Sequence, residues 1–178
     1  MPRTRPELER EAKVAEIVSA AERRLRDGGY DALSVAAVAR ELGIAQNAVY
    51  WYFPSKDHLF VAALEQILRG IVAAKPPRQR SVKHKVLWFV ERLQEVEHVR
   101  AAMYDRARTS EVVADFAARL DATWRHMLAG VLSSRLDEPE LSAAVAALIA
   151  TIQGAFLQPM TAAERRRVIA YAVERLVP

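Results

Sequence analysis

The 178-residue chain contains no cysteine, which excludes disulfides, thiolate metal sites and thiolate nucleophiles. Glycine is scarce: the six residues form no phosphate-cradling loop. The four histidines, His58, His84, His98 and His126, are scattered, with no i, i+4 pair and no HExxH pattern. Ser133 and Ser134 follow an apolar run but lack the Gly-x-Ser-x-Gly elbow of a nucleophile. These absences leave no candidate catalytic residue, no metal site and no cofactor, so an enzyme is not expected. No run approaches the ~20 apolar residues of a membrane span. The opening Met1-Pro2-Arg3-Thr4-Arg5-Pro6 leads into a charged segment, not an apolar one. A cytoplasmic chain without a membrane partner is the expectation. No Val/Ile/Thr-rich segment alternates with period two, so no sheet is expected either.

What is present is helical periodicity from end to end. Residues 7–27 place Val14, Ile17, Val18, Ala21 and Leu25 on one stripe, which Gly28-Gly29 should stop. Another helix is expected over 55–73, with Leu59, Phe60, Ala63, Leu64, Ile67, Leu68 and Ile71 along one side. Lys75-Pro76-Pro77-Arg78-Gln79-Arg80 then breaks the pattern, since consecutive prolines cannot continue a helix, and marks the best domain boundary. Further helices are expected over about 81–97, 99–106, 110–134, 138–157 and 161–176.

The stretch from Leu33 to Lys56, LSVAAVARELGIAQNAVYWYFPSK, is the most informative. Ser34 can cap a helix by accepting a free N–H at its start. Val35, Val38, Ala39 and Leu42 keep one side apolar, and Gly43 can take the positive φ that ends the turn. A second short helix is expected from Ala45 to about Tyr52, and Ser55 can cap a third. Two short helices around a glycine turn are the plan of a helix-turn-helix, whose second helix enters the major groove of DNA. Its N-terminal half offers Gln46 and Asn47 to base edges, with Ala45 or Ala48 against a thymine methyl. Tyr50 and Trp51, one turn later, suit phosphate hydrogen bonds and stacking on sugars, while Val49 and Phe53 point inward. An ordinary polar helix surface is the competing reading of Gln46 and Asn47, and a core position with one wet edge that of Tyr50.

The same stretch closely resembles the operator-binding domain of the tetracycline-repressor (TetR) family. Ser34, Val38, Ala39, Gly43, Ile44, Tyr50, Phe53, Ser55 and Lys56 fill the family pattern in order, and the likeness covers about residues 8–72. Two positions depart from it. Ala45 stands where Ser or Thr is usual, which removes a cap worth about 1 kcal/mol, and Trp51 stands where His or Arg is common. The resemblance implies an all-α fold of about nine helices. It has an N-terminal three-helix DNA-binding domain (1–54, motif 34–53), a linking helix (55–74), and a larger effector-binding and dimerisation domain (75–178). It also assigns Ser34 and Lys56 to the DNA backbone. Arg3 and Arg5, read as lying ahead of the first helix, form either an arm toward a neighbouring groove or a disordered terminus.

Net charge supports nucleic-acid binding only weakly. The chain is formally +4 with a pI near 9.6, but residues 1–75 carry 11 Lys/Arg against 10 Asp/Glu. Basic groups must therefore act by local placement. The cluster Lys75, Arg78, Arg80, Lys83 and Lys85 reads as a solvated linker face.

For the remainder, the resemblance implies a transcriptional regulator, in the first instance a repressor, that binds a palindromic operator as a homodimer and is released by a small apolar effector. An effector-independent DNA binder and a helical carrier or enzyme that binds no DNA are the alternatives. Trp88, Phe89, Met103 and Tyr104 are candidates to line an effector pocket. So are Phe116, Trp124, Met127 and Phe156, although core packing is the favoured reading of each and alone explains Phe116, Trp124 and Met127. The helix over 138–157 has an apolar side of Leu141, Val145, Leu148, Ile149, Ile152 and Phe156 for its own core. Its side of small residues, Ala143, Ala144, Ala147, Ala150, Thr151 and Gly154, suits a partner helix. Ile169, Val173 and Leu176 of the last helix are assigned to the same dimer interface.

Overall fold

The computed structural model describes residues 5–74 and 81–177, and among these every regular element is helical. In order they are α1 (Arg5–Ala32), α2 (Val35–Glu41), α3 (Gln46–Tyr52), α4 (Lys56–Ala73) and α5 (Val82–Gln94). There follow α6 (Glu97–Arg106), α7 (Glu111–Leu132), α8 (Glu140–Leu157) and α9 (Ala162–Leu176). The proline-containing break at 75–80, with Lys75, Arg78 and Arg80, lies outside the described residues, as does Arg3. Arg5 is the first residue of α1 and bonds Glu9 one turn on, so it belongs to the helix and not to an arm ahead of it.

The chain divides into two compact units. The first comprises residues 1–73 with 98–117, the second 74–97 with 118–178. In the first unit α1 is kinked at Gly28-Gly29, where Gly29 takes φ 68°, a value most side chains avoid. Its stripe of Ile17, Val18, Ala21 and Leu25 packs on α4, whose Leu59, Phe60, Ala63, Leu64 and Ile67 are buried. Each such large apolar side chain contributes about 1.5–3 kcal/mol on burial. Most of α6 belongs to this unit: His98 Nε2 donates to the Leu25 carbonyl at 3.1 Å, and Met103 is fully enclosed.

The second unit has a core of Val86, Leu87 and Val90 from α5, Val145, Leu148 and Ile149 from α8, and Ile169 and Val173 from α9. Arg165 is buried within it. It makes a two-pronged ion pair with Glu97 at 2.9 and 3.0 Å, and donates from Nε to the Ala155 carbonyl at 3.1 Å. Every polar nitrogen of its guanidinium is thereby matched, as a buried charge requires. Thr161 and Glu164 form a reciprocal capping box at the start of α9.

Two sequence assignments change here. Ala144, Ile169 and Val173, assigned to a partner, lie inside the chain's own core at 4%, 0% and 2% exposure. The cause is that α9 has one strongly apolar stripe and uses it to cover α8 and α5. Furthermore, α8 comes closer to a membrane-spanning composition than expected: 18 residues of mean hydropathy 1.6, because alanines fill the positions between its large residues. It is apolar on nearly all sides, yet only a third of that length is buried within the chain. Ala143, Ala150 and Leu157 on α8, and Val168 and Tyr171 on α9, are exposed.

Candidate nucleic-acid interface

The helix-turn-helix is built as its residues dictate. Ser34 has extended backbone, and its hydroxyl accepts the Ala37 N–H at 3.4 Å. Val35, Val38 and Ala39 are buried beneath it. Gly43 takes φ 64°, and Ile44 N–H closes the turn on the Ala39 carbonyl at 3.0 Å. Arg23 and Arg24 of α1 both hold Glu41 at the end of α2, at 2.6 and 2.8 Å. Ala45 stands at the start of α3 without a side-chain cap, and its carbonyl accepts the Ala48 N–H at 2.9 Å. Val49 is fully buried and Phe53 nearly so, which fixes the rotation of α3. That rotation leaves Ala45, Gln46 and Asn47 exposed, with Tyr50 at 39% and Trp51 at 68% exposure.

The structure brings four of the seven residues nominated for DNA to one place. Ser34, Gln46, Tyr50 and Lys56 line a single open depression of about 290 Å³, together with Asp31 and Ala36. Asn47 and Trp51 lie outside it, Trp51 against Tyr52 at 4.7 Å between ring centres. A depression with one ammonium, two hydroxyls and an amide can accept a phosphate oxygen, and the carboxylate of Asp31 on its rim limits how deep an anion can sit.

Lys56 is held in a way its sequence neighbours do not announce. Its ammonium lies 3.8 Å from the centre of the Tyr30 ring, a cation–π contact from the end of α1. The Tyr30 hydroxyl donates to Asp57 Oδ1 at 2.6 Å, and Arg106 of α6 donates to Asp57 Oδ2 at 2.6 Å. Burial and the Asp57 carboxylate push the Tyr30 hydroxyl up to about 12. Burial works against the charged form of Asp57, but hydrogen bonds from Arg106, Tyr30 and Ser110 outweigh it and hold the carboxyl below its ordinary value. Burial lowers the Lys56 ammonium against the opposing pull of Asp31 and Asp57. An anion beside Lys56 would favour its charged form again. Tyr30, Asp57 and Arg106 were not singled out from sequence. Asp57 is the acidic residue in the first turn of α4, and no short-range signal joins it to Arg106, 49 positions away.

The effector candidates separate. Trp88, Phe89 and Trp124 meet edge to face, at 5.6 Å for Trp88–Phe89 and 5.3 Å for Phe89–Trp124. Phe156 is buried beneath Arg165, and Met127 is half-buried. Met103, Tyr104 and Phe116 belong to the first unit, where Met103 and Phe116 are buried and Tyr104 is exposed.

Residues 17–63 match the family model described as bacterial regulatory proteins, tetR family. Over those residues the chain carries the sequence pattern of that family. The chain is similar to the HTH-type transcriptional repressor KstR of Mycolicibacterium smegmatis, 51% identical over 37 residues. Those residues are 21% of this chain and 18% of KstR, so the chain spans under a fifth of that repressor's length. A likeness of fold to solved structures extends over most of the chain. A transcriptional regulator from Rhodococcus sp. Rha1 superposes with TM-score 0.73 at 23% identity, over 92% of this chain and 95% of its own. The multidrug binding protein EbrR, solved with imidazole, gives 0.64 at 25% identity, over 94% and 90%.

Proposed function

We propose that this chain is a TetR-family, ligand-responsive transcriptional regulator that binds a palindromic operator as a dimer. The observation that carries the reading is the exposed α3, with Gln46 and Asn47 unburied beside a depression that gathers Ser34, Gln46, Tyr50 and Lys56. Gln46 and Asn47 read bases, with Ala45 beside them, and Ser34, Tyr50, Trp51 and Lys56 hold the backbone. Repression is supported by the likeness to KstR, named a transcriptional repressor. A small effector is supported by the likeness to EbrR, named a multidrug binding protein. In this chain the aromatic group of Trp88, Phe89 and Trp124 is the best start for a pocket wall.

Residues 1–54 act as the reading head, 55–74 as the linking helix and 75–178 as the effector and dimer region, although 98–117 cluster with the head. Dimerisation is supported by α8, whose apolar circumference exceeds what its own chain covers. The partner-facing residues on this reading are Ala143, Ala150, Leu157, Val168 and Tyr171, flanked by half-buried Ala147, Thr151, Gly154 and Leu176. Enrichment of duplexes from a randomised pool tests the reading, followed by a screen for compounds that release the enriched duplex. A palindromic consensus and at least one releasing compound are expected. Failure to enrich any duplex overturns DNA regulation, and tight binders that never change DNA affinity overturn effector control.

A further inference from the structure

Trp51 is an anomaly: a large aromatic, 68% exposed, on the helix expected to face DNA. It is nevertheless held. Tyr52 abuts it edge to face at 4.7 Å, and the guanidinium of Arg10, reaching from α1, lies 5.2 Å from its ring centre. Arg10 is itself exposed, and no carboxylate among the described residues forms a salt bridge with it. An exposed arginine ordinarily samples many rotamers, and stacking on an indole, the best cation–π partner, confines it. Trp51 follows Asn47 by four residues and so shares its side of α3, one turn farther on. A DNA strand that meets Asn47 with a base therefore passes Trp51 and Arg10 with its sugar and phosphate.

We infer that Arg10 is a phosphate ligand of the operator, placed by the indole of Trp51, which packs on the adjoining deoxyribose. The inference rests on the DNA-binding reading above. It adds a contact from α1, and it gives tryptophan a role where histidine or arginine would supply its own donor: here the indole provides the platform and α1 the charge. An arginine stacked on a ring keeps donors free in its plane for a phosphate, whereas a lysine in its place offers a point charge and poorer stacking.

The test uses the full chain and a duplex that it has enriched from a randomised pool, with affinity read by fluorescence anisotropy over a range of salt. Arg10→Ala should weaken binding about tenfold and flatten the slope of log affinity against log salt by about 0.9 per protomer bound. Trp51→Ala should reproduce most of that loss, Trp51→Phe much less, and Arg10→Lys should restore the salt slope but not all of the affinity. The double variant Arg10→Ala with Trp51→Ala should bind no worse than the weaker single one. Both positions are exposed, so thermal melts should be unchanged. Losses that simply multiply in the double variant overturn the positioning by Trp51. An unchanged salt slope in Arg10→Ala, with a clear loss in Lys56→Ala, overturns the Arg10 contact and leaves the regulator reading intact. A chain that enriches no duplex overturns both.

Discussion

The Tyr30 hydroxyl donates to Asp57 at 2.6 Å, so the ring that carries Lys56 is anchored by the residue next to that lysine. Tyr30→Phe keeps the ring and removes the anchor. A hydrogen bond to a charged acceptor is worth about 1.5–3 kcal/mol, and a loss in the lower part of that range is expected, because Arg106 still satisfies Asp57. Alkaline titration gives an independent check. A phenol raised above its ordinary 10.0 adds stability that is complete below pH 10 and disappears as pH rises through about 12. Ultraviolet absorbance should show a late-ionising tyrosine in the native chain that is lost in Tyr30→Phe. A wild-type titration with no late phenol contradicts the contact.

Asp57 acts at the other end of the pH scale. Its carboxyl is held below the ordinary 3.8, so the stability it lends is present above that value and is lost as pH falls through the native one. Asp57→Asn should therefore be less stable than the native chain at pH 7, and the gap should narrow steadily below pH 4. Denaturant unfolding at a series of pH values measures that gap. A difference independent of pH would show that charge at Asp57 is immaterial.

How far the sequence foretold this arrangement depends on range. Most helix boundaries were legible to within a few residues because glycines and serine caps act locally, although α1 continues past its kink at Gly28-Gly29 to Ala32. So were the buried positions of Val49 and Phe53, which follow from period alone. The contacts of Tyr30, Asp57 and Arg106, and of Arg10 with Trp51, join separate helices and leave no trace in periodicity. The same limit explains Ala144, Ile169 and Val173. Periodicity identifies an apolar side but cannot say whether the chain itself or a second copy covers it.

At the reading head, Gln46→Ala and Asn47→Ala should relax the selected sequence with little change in non-specific affinity. Each good bidentate pair to adenine discriminates by about 1–3 kcal/mol. Both side chains are exposed near the uncapped start of α3, so truncation should leave the fold intact. Parallel enrichments with native and variant proteins make the comparison. Identical consensus sequences from all three would remove both residues from base reading.

The dimer proposal rests on what α8 and α9 leave uncovered. Leu157 is 81% exposed and Tyr171 62%, and Ala143 and Ala150 continue the surface along α8. Alanines at seven-residue spacing let a second helix approach closely, and two α8–α9 pairs about a two-fold axis would make a four-helix bundle. A carboxylate at the centre of such a bundle would be buried without a partner, at a cost of several kcal/mol counted twice by symmetry. Ala150→Glu and Tyr171→Glu should each convert dimer to monomer in sedimentation. Because both positions are exposed in the single chain, helical content should be kept. Ala144→Glu strikes the chain's own core and should unfold it, which separates loss of assembly from loss of fold. A two-fold dimer sets its recognition helices about 34–36 Å apart, in successive major grooves. The monomeric variants should therefore bind the full palindrome little better than a half-site, a loss of at least a hundredfold in a gel-shift titration. A folded monomer that binds the palindrome as tightly as the native chain would sink the proposal.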